Sequence, residues 1–274
     1  MRALEFPIRG DLLSVTASTR SHVAHYTSPF QTIDIWDTAV FGKVLLLDGH
    51  IQLAELDEQA YHECLVRIPM LNLPKAKSAL IVGGGDGGAL RELCRFPQLE
   101  RIEMAEIDPA VIELCRMHLP ALSNGAFDDP RVSLHVGDAF AYVRDRKERY
   151  DLIILDSTDT YEESSGELSE ALFTSDFYRD CFGALKPGGI VVTQADNPVY
   201  CPYSLAAIKE QLGAVFGNVG SYLGLVPSFG GYSGFCFASR DAGLSTRWNP
   251  TWPEGIYLEE ASYNLAFSDL RFAL

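Results

Sequence analysis

Ala79-Leu-Ile-Val-Gly-Gly-Gly-Asp-Gly-Gly88 is a short apolar run that passes into glycines, and the residues behind it, 87–96, read as a helix. Glycines at such a strand-to-helix turn allow a tight bend and let the backbone approach a ligand closely. An acid, Glu106, stands 18 residues after Gly88 at the end of the next strand candidate, 101–106, where it can meet ribose hydroxyls. Strand, glycine turn, helix and second-strand acid in this order point to a nucleoside cofactor. A glycine turn without a ligand is the alternative.

Outward from this unit the chain keeps alternating. Strands are expected at 78–82, 101–106, 132–136, 151–155 and 189–193, and helices at 87–96, 109–118, 169–185 and 204–216. Such alternation predicts an α/β domain with a parallel sheet covered on both faces. Residues 220–226 and 234–238 read as strands nearly adjacent in sequence, able to form an antiparallel edge hairpin. Upstream, residues 57–70 carry Ala60, Tyr61, Cys64, Leu65, Ile68 and Met70 at helical spacing. Before them, residues 1–55 read as short strands with turns. Residues 31–36 alternate, and 43–47 and 50–54 flank Asp48-Gly49, a strong hairpin signal. The expected division is a β domain at 1–55 and a Rossmann-like domain at 56–274.

The composition, 47% hydrophobic and 22% charged, is that of a globular chain. Apolar runs such as 44–47, 79–82 and 152–155 fall far short of a membrane span. No apolar core of a secretory signal stands in the first twenty residues, so a soluble cytoplasmic protein is expected. Twenty-two basic against 37 acidic residues leave a formal net charge of −15. A field of that sign repels nucleic acid and anionic membranes and favours cationic partners, solubility alone being the alternative. The six cysteines (64, 94, 115, 181, 201 and 236) contain no C-x-x-C pair, and the histidines do not cluster at ligand spacing. Neither disulfides nor a metal is expected.

Spacing alone leaves nicotinamide and S-adenosyl sulfonium groups open. Asp86 inside the glycine run argues against pyrophosphate, because a carboxylate at a helix N-terminus takes up the potential that a phosphate would use. The same charge disfavours the carboxylate of an ordinary methionine tail. It suits decarboxylated S-adenosylmethionine, whose tail ends in a primary ammonium. The cofactor positions are then Gly83, Gly85, Asp86 and Glu106. Further acids stand at strand ends: Asp138, followed by Ala139, could meet the adenine edge, and Asp156 and Asp159 close the fourth strand. Each alone could be a helix cap. Together on one rim they would repel one another unless a cation joined them.

Leu47-Asp-Gly-His-Ile-Gln52, Asp57-Glu58, Tyr61-His62-Glu63 and the glycine run, in that order, resemble the spermidine synthase family of polyamine aminopropyltransferases over roughly residues 20 to 240. The resemblance implies a small β domain followed by a methyltransferase-type Rossmann-like domain with an antiparallel edge. It implies transfer of an aminopropyl group from decarboxylated S-adenosylmethionine, a co-substrate rather than a prosthetic group, to a polyamine, with release of methylthioadenosine. By the same match Gln31, Asp86, Glu106, Asp138 and Ala139 surround the sulfonium nucleoside. Tyr61, His62, Asp86, Asp156 and Asp159 hold the amines, and Asp156 accepts the proton. For His62 a histidine satisfied between helices is the alternative, and for Tyr61 a place in the core. Gln194 also fits the family pattern. Partners are expected to be a small polyamine and further copies of the chain, a homodimer or larger, with no nucleic acid or membrane.

The chain departs from the family where the acceptor should lie. Asp159 is followed by a longer stretch, 160–171, without proline and with Glu162, Glu163, Glu167 and Glu170. The family's Pro-Thr-Tyr reads Pro227-Ser228-Phe229. The acceptor is therefore left open among putrescine, cadaverine, agmatine and spermidine. An Asp156 of ordinary pKa, near 3.9, would be a weak proton acceptor and would act mainly by orienting the amine. A methyltransferase on the same scaffold and a non-catalytic polyamine-binding protein are the competing functions.

Overall fold

The computed structural model describes residues 2–10, 12–157, 174–241 and 243–269. Five antiparallel strands open the chain: β1 (Arg2–Arg9), β2 (Leu13–Thr27), β3 (Thr32–Thr38), β4 (Gly42–Leu47) and β5 (His50–Ala54), paired in sequence order. β4 and β5 turn at Asp48-Gly49, both at positive φ, as the hairpin reading expects. β2 runs for 15 residues, longer than the short strands expected. Most of its side chains are exposed, so it carries little apolar alternation, and pairing to β1 and β3 holds it instead.

The helical stretch after β5 is α1 (Glu58–His62), one π-helical turn at Glu63–Arg67, and α2 (Ile68–Leu71). Seven strands follow: β6 (Ser78–Gly83), β7 (Arg101–Glu106), β8 (Val132–Val136), β9 (Tyr150–Asp156), β10 (Leu185–Ala195), β11 (Asn218–Val226) and β12 (Gly231–Ser239). The sheet order is β11-β12-β10-β9-β6-β7-β8; β6 to β10 pair in parallel, and β12 is antiparallel to both β10 and β11. The edge hairpin expected from the sequence is β11–β12. Between the strands lie α3 (Gly88–Cys94), α4 (Pro109–His118), α5 (Pro120–Ser123), α6 (Ala139–Arg144), α7 (Ser175–Ala184) and α8 (Pro202–Gly213), and α9 (Glu260–Ala266) closes the described chain. β10 begins four residues before the expected strand, with a register irregularity between Leu185 and Ile190 that spans Pro187-Gly188-Gly189. α9 lies in a region for which the sequence reading names no element.

Alternation along β6 divides the core. Ala79 and Ile81 face α1 to α3 and α9, while Leu80 and Val82 face α6, α7 and α8. A third cluster joins the two sheets: Ile33, Ile35, Leu45 and Leu53 pack on Val111 and Cys115 of α4 and on Leu119 just beyond its C-terminal end. Burying large aliphatic side chains contributes about 1.5–3 kcal/mol each, so this seam fixes the small sheet over the strand ends of the large one. Glu63, fully buried on the π turn, accepts the backbone N–H groups of Ile256 (2.8 Å), Tyr257 (3.1 Å) and Leu258 (2.8 Å), which ties the C-terminal segment to the same helix. All six cysteines are unpaired. No helix among the described residues is long and apolar enough to cross a membrane.

Candidate active site

Strand order reverses at β6, which has β7 on one side and β9 on the other. Open α/β sheets bind ligands outside the strand ends at such a point. Here the ends of β6, β7 and β9 open into a cleft of about 290 Å³ that Leu45, Leu47, Ile51 and Gln52 of the small sheet roof over. Gln31, Tyr61, Gly83, Gly85, Asp86, Glu106, Asp138, Ala139 and Asp156 all line it, as does Gln194. His62 lies behind the wall, 1% exposed. Asp159 and the acidic stretch 161–170 lie outside the described residues.

Packing explains the glycine run position by position. Gly83 and Gly84 have φ of 81° and 71°. A Cβ on Gly83 would stand 2.2 Å from the Asp156 carbonyl oxygen, and that oxygen accepts the Gly84 N–H at 2.9 Å. A Cβ on Gly88 would stand 2.2 Å from the His62 ring. Gly88 is thus the counterpart of His62, and its N–H donates to the Asp86 carboxylate at 2.6 Å.

At the end of β7, Glu106 is buried and accepts the N–H of Gly85 (3.1 Å) on one oxygen and that of Asp108 (2.9 Å) on the other. Each oxygen keeps a lone pair for a ribose hydroxyl. Burial pushes this carboxyl up to about 7, and the nearby charge of Asp108 adds to the rise against the two N–H bonds. Gln31 is oriented by Asp108, whose Oδ2 accepts from Gln31 Nε2 (3.0 Å) and Ser28 Oγ (2.7 Å) while Oδ1 caps α4 at Ala110. The sequence reading passed over Asp108; an Asp-Pro at a helix start reads as an ordinary cap. Asp138 likewise caps α6 through the N–H of Phe140 (2.8 Å), so its cap and site readings coexist.

At the end of β9, the Tyr61 hydroxyl donates to Asp156 Oδ1 at 2.7 Å. Asp156 Oδ2 is buried with no hydrogen-bond partner among the described residues. An unsatisfied buried carboxylate oxygen costs free energy that an incoming ammonium can recover. Burial pushes Asp156 up from 3.8 to about 6; the charge of Asp86 adds to the rise, and His62 and the Tyr61 hydroxyl oppose it. It is therefore a stronger base than the ordinary aspartate assumed from sequence, for a reason that lies in its neighbours.

Behind Asp86 and Asp156 runs a buried chain of charges. His62 Nδ1 lies 2.8 Å from Glu58, and Nε2 lies 3.4 Å from Asp86. Arg91 grips Glu58 with two nitrogens, at 3.0 and 2.9 Å. Burial by itself would lower the imidazole pKa, but the charge and hydrogen bond of Asp86, then those of Glu58, outweigh it and raise it to about 10. Burial would raise Glu58, yet His62 and Arg91 hold it down at about 2. His62 is an imidazolium at neutral pH. Its Nε2 and the Asp86 and Asp156 oxygens lie within 4.8 Å of one another, so its charge sits beside both carboxylates. At 1% exposure its ring lies behind Asp86, 3.4 Å away, rather than on the cleft surface. From the sequence, Glu58 stands only within the quoted Asp57-Glu58 motif with no role of its own, and Arg91 is not singled out. The i, i+4 spacing of Glu58 and His62 was a visible signal, whereas nothing local announces Arg91.

Pro227-Ser228-Phe229 forms a 3-10 turn against this helix. Ser228 donates its N–H (2.7 Å) and hydroxyl (2.8 Å) to the buried Asp57, so its hydroxyl serves an anchor. Phe229 packs edge-on to Tyr61, ring centroids 5.7 Å apart, and presents no hydroxyl to the cleft. Gln194 donates to the Ser157 carbonyl (2.9 Å) and so holds the chain leaving β9.

Comparison with known proteins gives a consistent result. The spermine/spermidine synthase domain model matches residues 58–245, and the spermidine synthase tetramerisation domain model matches residues 22–55. A polyamine aminopropyltransferase of Alkaliphilus metalliredigens (strain QYMF) is 40% identical over 224 residues, 81% of this chain and 77% of that protein. One from Nitrosomonas europaea is 40% identical over 224 residues, 82% and 67% of the two chains. The crystal structure of spermidine synthase from Thermotoga maritima superposes with a TM-score of 0.88 at 30% identity, covering 98% of this chain and 91% of that one. A spermidine synthase in complex with the transition-state analogue AdoDATO gives a TM-score of 0.89 at 31% identity, with 97% and 92% covered.

Proposed function

We infer that this chain, which belongs to the spermine/spermidine synthase family, transfers the aminopropyl group of decarboxylated S-adenosylmethionine to a linear polyamine, with Asp156 as proton acceptor. The observation that carries the residue assignment is the Asp156 carboxylate: one oxygen is held by Tyr61 and the other is free among the described residues at the cleft wall. Glu106 and Gln31 bind the ribose and methionine-derived side of the nucleoside, Asp138 and Ala139 meet the adenine, and Gly83 and Gly85 let the backbone close in. Asp86 takes the terminal ammonium of the aminopropyl group. Asp159 belongs to the amine side on its sequence position alone.

The acceptor must present a lone pair. With an amine pKa of about 10.4, roughly 4 in 10,000 molecules are neutral at pH 7, a cost of about 4.6 kcal/mol. Asp156 takes the proton that the acceptor ammonium loses, the neutral nitrogen attacks the carbon next to sulfur, and the C–S bond breaks with its electron pair going to sulfur. The new secondary amine leaves as an ammonium while Asp156 returns its one proton to solvent. Tyr61 and the His62 cluster hold that carboxylate in line, and proximity supplies much of the remaining rate. We place the enzyme in the cytoplasm, a reading supported by six unpaired cysteines, and assign homo-oligomer contacts to the small sheet, which spans the tetramerisation-domain match.

Calorimetry with the decarboxylated and the intact forms of the co-substrate tests the Asp86 assignment. The decarboxylated form is expected to bind more tightly. Asp86→Asn is expected to weaken it by about 1.5–3 kcal/mol, the scale of a charge-assisted hydrogen bond. Equal affinity of the wild type for both forms would remove Asp86 as the selector while leaving the family unaffected.

The acidic stretch carries the acceptor preference. Each of Glu162, Glu163, Glu167 and Glu170 near a bound ammonium adds a few tenths to about 1 kcal/mol when exposed, which favours a triamine over a diamine. Replacing all four by glutamine is expected to lower the ratio of kcat/KM for spermidine over putrescine, read by methylthioadenosine release. An unchanged ratio would reduce the stretch to solvated surface.

A further inference from the structure

We propose that His22, His25 and Asp34, on the outer face of the small sheet, form a binding site for one divalent transition-metal ion of the zinc class. His22 Nε2 lies 2.6 Å and His25 Nδ1 2.9 Å from the same oxygen, Oδ1 of Asp34, and the three donor atoms fall within 4.8 Å of one another. None of the three lines the cleft.

The convergence depends on a break in the β2–β3 ladder. Residues three apart in a regular strand point to opposite faces, which is why the histidines show no ligand spacing in the sequence. The β2–β3 register pairs His22 with Trp36, then Ala24 with Ile35 and His25 with Asp34, so Val23 is an extra residue. Such a bulge turns the strand by one position. His22 and His25 therefore share a face, and Asp34 and Trp36, two residues apart on β3, share it with them. Trp36 stacks flat on His22 at 3.8 Å between ring centroids and 4° between planes, which fixes the imidazole orientation.

Two imidazole nitrogens and one carboxylate oxygen suit zinc, cobalt, nickel or copper rather than magnesium or calcium. Donors around a tetrahedral zinc ion stand about 3.4 Å apart, given bonds of about 2.0–2.2 Å. Asp34 and the two rings need to part by less than about 1 Å to admit the ion. Their side chains are 18%, 36% and 57% exposed for Asp34, His22 and His25, so this movement meets no packed core and water can complete the coordination.

Zinc titration of the metal-free full-length protein by calorimetry tests the site, with copper quenching of tryptophan fluorescence as a second readout, since His22 lies against Trp36. One saturable equivalent of zinc is expected, and zinc should compete with the copper quench. His25→Ala and Asp34→Asn should each weaken zinc at least about tenfold, as losing a ligand costs no less than losing a group that orients one. Circular dichroism of the variants should match the wild type. Absence of a saturable step, or zinc binding that persists unchanged in both variants, would overturn the proposal; the second result would move the ion elsewhere in the molecule.

Discussion

Asp156→Asn is expected to lower kcat at least about 100-fold, the lower end for a positioned acid–base group, while affinity for decarboxylated S-adenosylmethionine stays close to the wild-type value. The amide keeps the shape and can still accept from Tyr61, so the loss isolates the proton acceptor. A second signature is the pH profile. kcat/KM reports the free enzyme, where Asp156 titrates near 6. The plot of its logarithm should steepen by one unit of slope below that pH, because the protonated acid cannot take a proton. That step should vanish in the variant. Turnover within a few-fold of wild type would remove Asp156 from the chemistry.

His62→Leu is expected to destabilise the fold by about 3–5 kcal/mol, the cost of removing one partner of a buried ionic group. Glu58 keeps Arg91, but Asp86 and Asp156 lose the only cation that contacts them among the described residues. The effect depends on pH with a definite sign. A histidine raised from 6.5 to about 10 on folding stabilises fully below pH 6.5 and loses that contribution as pH rises through 10. The wild-type advantage in urea denaturation should therefore be large at pH 6 and shrink toward pH 10. The same variant should move the Asp156 step above pH 6, since the imidazolium is one of the groups that lower it. A stability change below about 1 kcal/mol would mean that the cluster is balanced without His62.

Much of this site was legible because its parts announce themselves locally. A glycine run between a strand and a helix, and acids at successive strand ends, follow from backbone rules that hold wherever the chain goes. So do the hairpin at Asp48-Gly49 and the edge pair β11–β12. The long strand β2 was not legible as one strand, because its stability comes from partners on both sides rather than from a buried face. The helix α9 was missed although Glu259 and Ser262 cap it reciprocally; its apolar residues join a core assembled from distant segments.

Sequence by itself determined the fold class, the rim of acids, and the choice of a cationic tail over a phosphate, since each rests on residue type and order. Only the tertiary structure decided what state those acids are in. The Asp156 carboxyl is raised because it is buried beside Asp86, and His62 is a buried cation because Glu58 and Asp86 close on it from two elements. Gly88 is glycine because the His62 ring occupies the space of a side chain, and His22 meets His25 because the strand slips by one residue. These outcomes depend on desolvation and on charges a few ångströms apart in space but remote or out of phase in the chain. No local pattern carries that information, and folding supplies it.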